Sequence, residues 1–370
     1  MRHTLTTIVL TIAVSIASLS SHVACAQVIS TQADCNAIGG QWDLNVPRPQ
    51  FARCALTQYY LVDAGRRLEL DLGVELEIRG NGVLHNRGQI LILNTAQLDI
   101  QGVFTNEGLV VADNRAEIFF RRGQVNNNGR MEIEGDIFIV NTARLPSGWR
   151  ECWYNSGSIM LTSGGNLFNR GGCLDGDRGG ALDVQLTGTF VNEANAFYRG
   201  GRSDVITGIF RNERGGWAQL RNMRLLGEFE NHGDAYLTEG SNASQDNSET
   251  RISETGILRI DSNSQVSIGT RRFRVDGVLE VLSGRLRDAN RPLQVNVGSG
   301  GDIQLYGSSV AWSPASQIEL NNSGSIVKHC LATWYSAMIP RGNPVYHRRC
   351  YPVPIPSPWP IPLPNPIFGP

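Results

Sequence analysis

Cysteine provides the clearest reactive chemistry in this chain of 370 residues. Six of its seven cysteines form three local pairs, whose members are 19, 21 and 20 residues apart: Cys35 and Cys54, Cys152 and Cys173, Cys330 and Cys350. In an exported chain this spacing favours disulfides between neighbours. The alternative is a metal site, which usually shows a C-x-x-C motif or nearby histidines, and only His329 and His347 lie beside a pair. We therefore predict three local disulfides.

Acidic and histidine side chains suggest little further chemistry. The densest group of carboxylates is the stretch CLDGDRGGALD, where Asp175 and Asp177 offer a weak calcium site, the one cofactor that the sequence suggests. The alternative, which the sequence favours, is a solvated turn between strands. The repeated segments described below contain only His85 and His232, with no arrangement of Ser, His and Asp around them. We predict no catalytic, cofactor-binding or metal-binding residues, and a protein that is not an enzyme.

The overall charge argues against two classes of partner. The chain has 33 Lys and Arg against 34 Asp and Glu, a net charge of -1, which is atypical of nucleic-acid or membrane-surface binders. Lys328 is the only lysine, so nearly all strongly basic residues are arginines, whose planar group suits carboxylates. An arginine-lined face for acidic sugars is one interpretation. Genome composition is the favoured one, because the arginines are spread along the whole chain.

The amino terminus predicts export. Arg2 precedes an apolar run that ends in Ala24-Cys25-Ala26, the small-x-small pattern of a signal peptidase site, so residues 1–26 are predicted to be a signal peptide. A lipid anchor on Cys25 is the less favoured alternative, because His22 stands where such motifs normally carry Leu. No later segment is apolar enough for a membrane span. We predict a secreted, periplasmic or cell-surface protein.

A repeated Asn determines the predicted architecture. The stretches GVLHNRG at 82–88 and GVFTNEG at 102–108 both carry Asn two residues before Gly. The pattern recurs along the chain at Asn86, Asn106, Asn127, Asn155, Asn169, Asn231 and Asn322, with degenerate copies at Asn192 and Asn212. Most neighbouring copies up to Asn231 are 19 to 23 residues apart, and the spacings of 28 and 14 beside Asn155 sum to two periods. The period is therefore about 21 residues.

This period predicts an all-β fold, a single-stranded parallel β-helix in which each coil buries its apolar face against its neighbours. In LHNRGQILI, Leu84, Asn86 and Ile90 share the parity of one strand face, so the Asn points inward at a turn. An isolated buried amide would leave donors unpaired, whereas a ladder of Asn side chains gives each amide partners in the coils above and below. Outside the turn, Arg87 and Glu107 are predicted to attract each other across neighbouring coils.

The repeat resembles the right-handed parallel β-helix proteins of bacterial surfaces, the haemagglutinin-like and pectin-lyase-like group, over roughly residues 60–328. The resemblance implies the fold but not the function, since this architecture holds adhesins, polysaccharide lyases, glycoside hydrolases and spacers. The carboxylate motifs of polygalacturonase-like members are missing; the nearest matches are NTA at 94–96 and 141–143.

The two ends differ from the repeat. Residues 27–59 are predicted to be an N-terminal disulfide cap, 60–328 the β-helix, 329–351 a C-terminal disulfide cap and 352–370 a Pro-rich tail. The tail is apolar and suits polyproline II, with Trp359 and Phe368 as candidate partner-binding residues. It is interpreted as an arm for another subunit or an envelope component, or alternatively as a strap along its own solenoid.

Together these patterns predict a secreted or surface-associated solenoid with a structural or adhesive role and no catalysis. The first alternative is a carbohydrate-binding or polysaccharide-degrading β-helix protein, and the second is a subunit of an extracellular filament. The expected partners are further copies of the chain or a polysaccharide of the envelope or extracellular space, with no nucleic acid and no membrane span.

Overall fold

The structure is a computed structural model that describes most of the chain between residues 26 and 349. The described ranges are 26–44, 52–121, 123–140, 152–176, 179–201, 203–221, 224–238, 242–244, 249–260, 265–269, 272–282, 285–288, 294–306, 310–311, 317–320, 324–329, 332–334, 337–340 and 345–349. The predicted signal peptide up to residue 25 and the predicted tail, with Trp359 and Phe368, lie outside them. Within these ranges, no helix combines the length and apolar character needed to cross a membrane.

Short strands make up nearly all of the described chain, together with one helix, α1 (Gln32–Ala37). In chain order the strands are β1 (Ala26–Ile29), β2 (Gln41–Asp43), β3 (Ala52–Leu56), β4 (Tyr59–Val62), β5 (Arg67–Leu70), β6 (Val74–Ile78), β7 (Val83–Asn86), β8 (Gln89–Ile92), β9 (Gln97–Ile100), β10 (Val103–Asn106), β11 (Leu109–Ala112), β12 (Glu117–Phe120), β13 (Gln124–Asn127), β14 (Arg130–Ile133), β15 (Asp136–Val140), β16 (Trp153–Asn155), β17 (Ser158–Leu161), β18 (Asn166–Arg170), β19 (Cys173–Asp175), β20 (Ala181–Val184), β21 (Thr189–Asn192), β22 (Phe197–Arg199), β23 (Val205–Ile206), β24 (Ile209–Asn212), β25 (Trp217–Arg221), β26 (Arg224–Leu225), β27 (Glu228–Asn231), β28 (Asp234–Thr238), β29 (Asn242–Ser244), β30 (Glu249–Ile252), β31 (Ile257–Ile260), β32 (Gln265–Gly269), β33 (Arg272–Val275), β34 (Val278–Leu282), β35 (Arg285–Asp288), β36 (Gln294–Val297), β37 (Asp302–Tyr306), β38 (Val310–Ala311), β39 (Gln317–Leu320), β40 (Ser325–His329), β41 (Thr333–Trp334), β42 (Ala337–Pro340) and β43 (Val345–Arg349).

The described strands form three long sheets, because each strand pairs with the strand one coil earlier and one coil later. Sheet A contains β1, β5 and every third strand from β8 to β41; sheet B contains β2, β3 and every third strand from β6 to β42; sheet C contains every third strand from β4 to β43. The chain passes from sheet C to A to B in each coil. This arrangement confirms the predicted all-β parallel solenoid.

Alternation along each strand produces the core. In sheet A the side chains at one register position all point inward, and they are buried: Leu68, Ile90, Val110, Met131, Ile159 and Leu182. Burial of one such side chain contributes about 1.5–3 kcal/mol, and each coil repeats the contribution on three sheets. The coils therefore stabilise one another through continuous apolar columns rather than through separate cores.

Both predicted cap segments contribute strands to the parallel sheets. At the N-terminal end, β1 pairs with β5 and β3 with β6, while β2 pairs antiparallel with β3 and covers the edge of sheet B. Helix α1 packs beside these strands and begins at a capping box in which Thr31 accepts from the Asp34 amide. At the other end, β41, β42 and β43 continue the three sheets through residues 333–349. An open sheet edge offers unpaired backbone groups, so further pairing of this kind is favourable.

The Gly that follows each Asn of the first repeats is required by the close approach of neighbouring coils. A Cβ atom on Gly108 would lie 2.1 Å from the carbonyl oxygen of Gly88, and one on Gly129 would lie 2.2 Å from that of Gly108. A larger residue would displace the backbone at this corner.

Candidate functional site

Buried Asn side chains form continuous hydrogen-bonded ladders at the corners of the solenoid. Asn86 Nδ2 donates to Asn106 Oδ1 at 2.7 Å, Asn106 to Asn127 at 2.7 Å, and Asn127 to Asn155 at 2.8 Å. Each of these four residues ends a strand of sheet C and is at most 3% exposed. Each of the first three amides also donates to a backbone carbonyl of the next coil, as Asn86 does to Leu109 at 3.1 Å. The amides therefore satisfy both the turn and one another.

The predicted single ladder is corrected by the structure, which contains two. Asn169, Asn192, Asn212 and Asn231 form a second ladder at 2.8–2.9 Å, and they lie on sheet B. The 14-residue spacing between Asn155 and Asn169 is a step of two strands along one coil, from sheet C through sheet A to sheet B. After Asn231 the inward position belongs to Ile252, so the second ladder ends where the motif ends. Asn322 lies outside the described residues.

Two of the three predicted disulfides lie within the described residues, and both join the predicted neighbours. Cys35 and Cys54 link α1 to β3, with Cα atoms 5.6 Å apart. Cys152 and Cys173 link adjacent coils of sheet C, with Cα atoms 4.5 Å apart, next to the register pair Trp153 and Leu174. Cys330 and Cys350 lie outside the described residues, so their pairing stays a prediction.

The acidic stretch proposed for calcium shows an ion pair at its described carboxylate. Asp175 Oδ2 lies 3.4 Å from Nη1 of Arg199, which is its register partner in the next coil. Asp177 lies outside the described residues. Three other carboxylates of the described residues do come together, on the outward side of sheet B.

We call the outward-pointing side chains of sheet B the sheet B face, and its first coils carry a buried acidic cluster. Glu75 and Glu77 on β6 and Asp99 on β9 are 5%, 4% and 4% exposed, and one oxygen from each lies within 4.8 Å of the others. Asp99 is the register partner of Glu77. This cluster is the group of three His, Cys, Asp or Glu side chains within the described residues that could hold a metal ion.

Three arginines and one amide contact the acidic cluster, and the amide is that of Gln101, which donates to Glu77 Oε1 at 2.7 Å. Arg53 Nε lies 2.9 Å from Glu75 Oε2 and 3.1 Å from Glu77 Oε2. Arg79 Nη2 lies 2.6 Å from Glu77 Oε2, and Arg121 Nε lies 2.8 Å from Asp99 Oδ2. Burial raises the pKa of Glu75 and of Asp99, and the neighbouring arginines offset only part of this effect.

Stacked phenylalanines continue the sheet B face beyond Asp99. Phe119, Phe138 and Phe168 occupy one register column on β12, β15 and β18, with ring centroids 4.7 and 5.2 Å apart. The guanidinium carbon of Arg121 lies 4.5 Å from the Phe119 centroid, and that of Arg170 lies 4.7 Å from the Phe138 centroid. We call these five residues the aromatic strip. The rings therefore stack on one another at the spacing of the coils, with guanidinium groups beside them.

Charged side chains occupy the later coils of the same face. Arg211 Nε lies 2.6 Å from Glu230 Oε2, and Arg251 and Arg274 are register partners that both approach Asp276, at 3.5 and 2.7 Å. A groove of about 360 Å³ lies among the last three residues and the turn at 298–300. This part of the face carries charges of both signs and has no stacked rings among its described residues.

One buried acid lies inside the solenoid. The Asp204 carboxylate is 2% exposed and accepts from Leu182 N and Gly201 N, both at 2.8 Å, and from the Tyr198 hydroxyl at 2.5 Å. Burial raises the pKa of Asp204 to about 6, although the three donors oppose the change. Burial and the nearby carboxylate also raise the pKa of Tyr198. The Asp204 carboxylate thus joins β20, Gly201 and the Tyr198 side chain of β22 through hydrogen bonds.

The sheet B face was missed by the sequence analysis, and a signal for it was present. Glu75, Asp99, Phe119, Phe138 and Phe168 all lie at the outward parity of strands that follow the repeated period. Alignment of the coils by that period would have placed them in two adjacent columns.

Comparison with protein-family models and with curated proteins found no match to this chain.

Proposed function

We propose that this chain is a secreted or surface-associated β-solenoid with a structural or adhesive role and without catalysis. The observation that carries the proposal is the aromatic strip, whose rings and guanidinium groups lie at fixed intervals along the rod. The coils that present it are locked by the two Asn ladders and by the Cys152–Cys173 disulfide. A rigid array of this kind suits an extended ligand, because little side-chain freedom is lost on binding.

The expected ligand is a polysaccharide of the envelope or of the extracellular space. Sugar rings present apolar faces that pack on aromatic side chains, and arginines donate to hydroxyl and carboxylate oxygens. The disulfides agree with an oxidising compartment, which is where such polymers occur.

The test is binding of purified residues 27–370 to immobilised extracellular polysaccharides, with variants on two faces. Replacement of Phe168 and Arg170 by Ala should weaken binding at least tenfold, because it removes one ring and the cation above two rings. The matched control is Met160→Ala on the outward side of sheet A, which should bind like the unmodified chain. Equal loss in both variants, or no binding to any polymer, would contradict the adhesive role.

The alternative is a polysaccharide-degrading enzyme, favoured by the position of Asp99 beside Phe119 in the same column. Carboxylates next to a sugar-binding strip could supply general acid and base groups. Release of reducing ends from a polysaccharide, lost in Glu77→Gln, would establish this alternative and overturn the proposal of no catalysis. Electron microscopy that shows end-to-end fibres would instead favour the filament subunit.

A further inference from the structure

A notch lies at the corner between sheets B and C in the later coils. Residues 253–256 join β30 to β31 and residues 298–301 join β36 to β37, but only Asp276 and Gly277 join β33 to β34 between them. The short middle corner projects less than the two longer turns on either side of it. The groove of about 360 Å³ therefore opens over the middle coil, between Glu254 and the turn at 298–300.

Two arginines in the notch share one carboxylate. Arg251 and Arg274 are register partners on β30 and β33. Arg274 Nε donates to Asp276 Oδ2 at 2.7 Å, whereas Arg251 Nη2 lies 3.5 Å from the same oxygen. Asp276 is 7% exposed, so this carboxylate is buried beneath them. The inner part of the notch thus carries two guanidinium groups against one carboxylate, an excess of one positive charge.

The Arg251 guanidinium has a donor that the described residues leave unused. Its Nε is buried and has no hydrogen-bond partner among them. A buried donor without an acceptor is unfavourable, and nearly all such groups in folded proteins have a partner. The guanidinium fork presents Nε and Nη side by side, which is the geometry that binds two oxygens of one oxyanion. An oxyanion in the groove would meet the unused donor and the excess charge together.

The remaining lining of the notch suits a sugar that carries the oxyanion. Asn296 and Ser299 provide an amide and a hydroxyl, and Glu254 provides a carboxylate at the exposed rim. These groups donate to and accept from hydroxyls, which a bare inorganic ion lacks. The rim carboxylate also limits the affinity, because it repels an anion in the groove.

We propose that the notch binds an acidic sugar through its oxyanion, with Arg251 as the main contact. The oxyanion is a carboxylate or a sulfate ester, since either presents two oxygens to the fork. The notch lies on the sheet B face four strands beyond Phe168, or about 19 Å along the rod. The inference goes beyond the proposed function, because it depends on Arg251 and the short corner and not on the aromatic strip.

The experiment compares three polymers of one backbone: unmodified dextran, carboxymethyl dextran and dextran sulfate. Each is immobilised and titrated with residues 27–370 at about 0.1 M salt. At least one charged form should bind roughly tenfold more tightly than dextran, and the tighter one identifies the oxyanion. Arg251→Gln should remove most of that difference. Arg130→Gln, on the outward side of sheet A, makes the same change in net charge and is the matched control that should bind unchanged.

Two further variants test the mode of binding. Arg251→Lys keeps the charge but not the fork, so it should also lose most of the difference between charged and neutral dextran. Glu254→Gln keeps an acceptor but removes the repulsion, so affinity for the charged polymer should rise roughly threefold, which misfolding could not cause. Circular dichroism and melting temperature confirm the fold of each variant.

Three results would overturn the proposal: equal binding of all three dextrans, equal losses in Arg251→Gln and Arg130→Gln, or unchanged affinity in Arg251→Lys. The double replacement of Phe168 and Arg170 by Ala should keep the preference for the charged polymer. Failure of the notch and failure of the aromatic strip therefore give different results.

Discussion

Asn155 and Asn169 are neighbours in the repeat but partners in different ladders. Asn155 accepts from Asn127 and ends the ladder on sheet C, while Asn169 donates to Asn192 at 2.9 Å and begins the ladder on sheet B. The Cys152–Cys173 disulfide closes this same part of the chain. The polar column therefore changes corners within one coil, and a covalent bond joins the coils at the change.

The first prediction concerns the interior of the first ladder. Asn106→Leu should lower the free energy of unfolding by about 2–4 kcal/mol, because Asn86 Nδ2 loses its side-chain acceptor and Asn127 Oδ1 loses its donor in a buried column. Glu107→Ala is the matched control next to it; it removes the contacts of an exposed carboxylate with Arg87 and His85 and should have a small effect. Chemical denaturation measures both, and equal shifts would contradict the structural role of the ladder.

The second prediction concerns the cysteines. Mass spectrometry of the mature chain should find no free thiol and should pair Cys35 with Cys54, Cys152 with Cys173 and Cys330 with Cys350. Replacement of both Cys152 and Cys173 by Ala should cost about 3 kcal/mol, since the bond closes a loop of 21 residues. Upon full reduction, amide exchange should accelerate at β1 and β3 before β10 and β11. A long-range pair would contradict this map, as would earlier exchange in the middle of the solenoid.

The third prediction concerns Asp204 and pH. Its folded pKa of about 6 exceeds the ordinary value of 3.8, so the folded state holds the proton over that interval while the unfolded chain releases it. Stability from this group is therefore fully present below about pH 4 and falls by about 3 kcal/mol as pH rises to above 6. Asp204→Asn should lack this dependence.

Denaturant unfolding of both proteins between about pH 3.5 and 7 measures the difference for Asp204. The other titrating groups are common to the two chains and cancel in the comparison. Parallel stability curves would mean that the three donors to this carboxylate hold it ionised, and the prediction would be wrong.

The fourth prediction concerns the Pro-rich tail, which lies outside the described residues. Deletion of 352–370, including Trp359 and Phe368, should abolish association or surface attachment while circular dichroism and melting of the solenoid stay the same. Sedimentation and attachment assays compare the truncated and full chains. Substantial loss of stability with unchanged association would show instead that the tail is a strap on its own solenoid.

Much of the fold was determined by sequence because the solenoid is quasi-one-dimensional. Each coil contacts only its neighbours, so a period, an inward parity and a turn motif are enough to predict strands, core and stacking. Asn86 and Asn106 were placed correctly for this reason, and so was the pairing of Cys152 with Cys173. Local spacing carries the information whenever contacts lie about one period apart.

Tertiary structure decided which corner and which face each residue occupies. The spacing of 14 residues between Asn155 and Asn169 fits either a fraction of a coil or an irregular repeat. Only the strand register of the three sheets shows that Asn169 lies on sheet B. Glu75, Glu77 and Asp99 lie close to one another in sequence, yet their convergence depends on the pairing of β6 with β9 and on arginines from other coils. Outward positions have no required polarity, because many residue types are tolerated where the side chain faces solvent. The pattern that specifies the core therefore leaves the outer face unspecified, and the candidate sites become visible only when the coils are stacked.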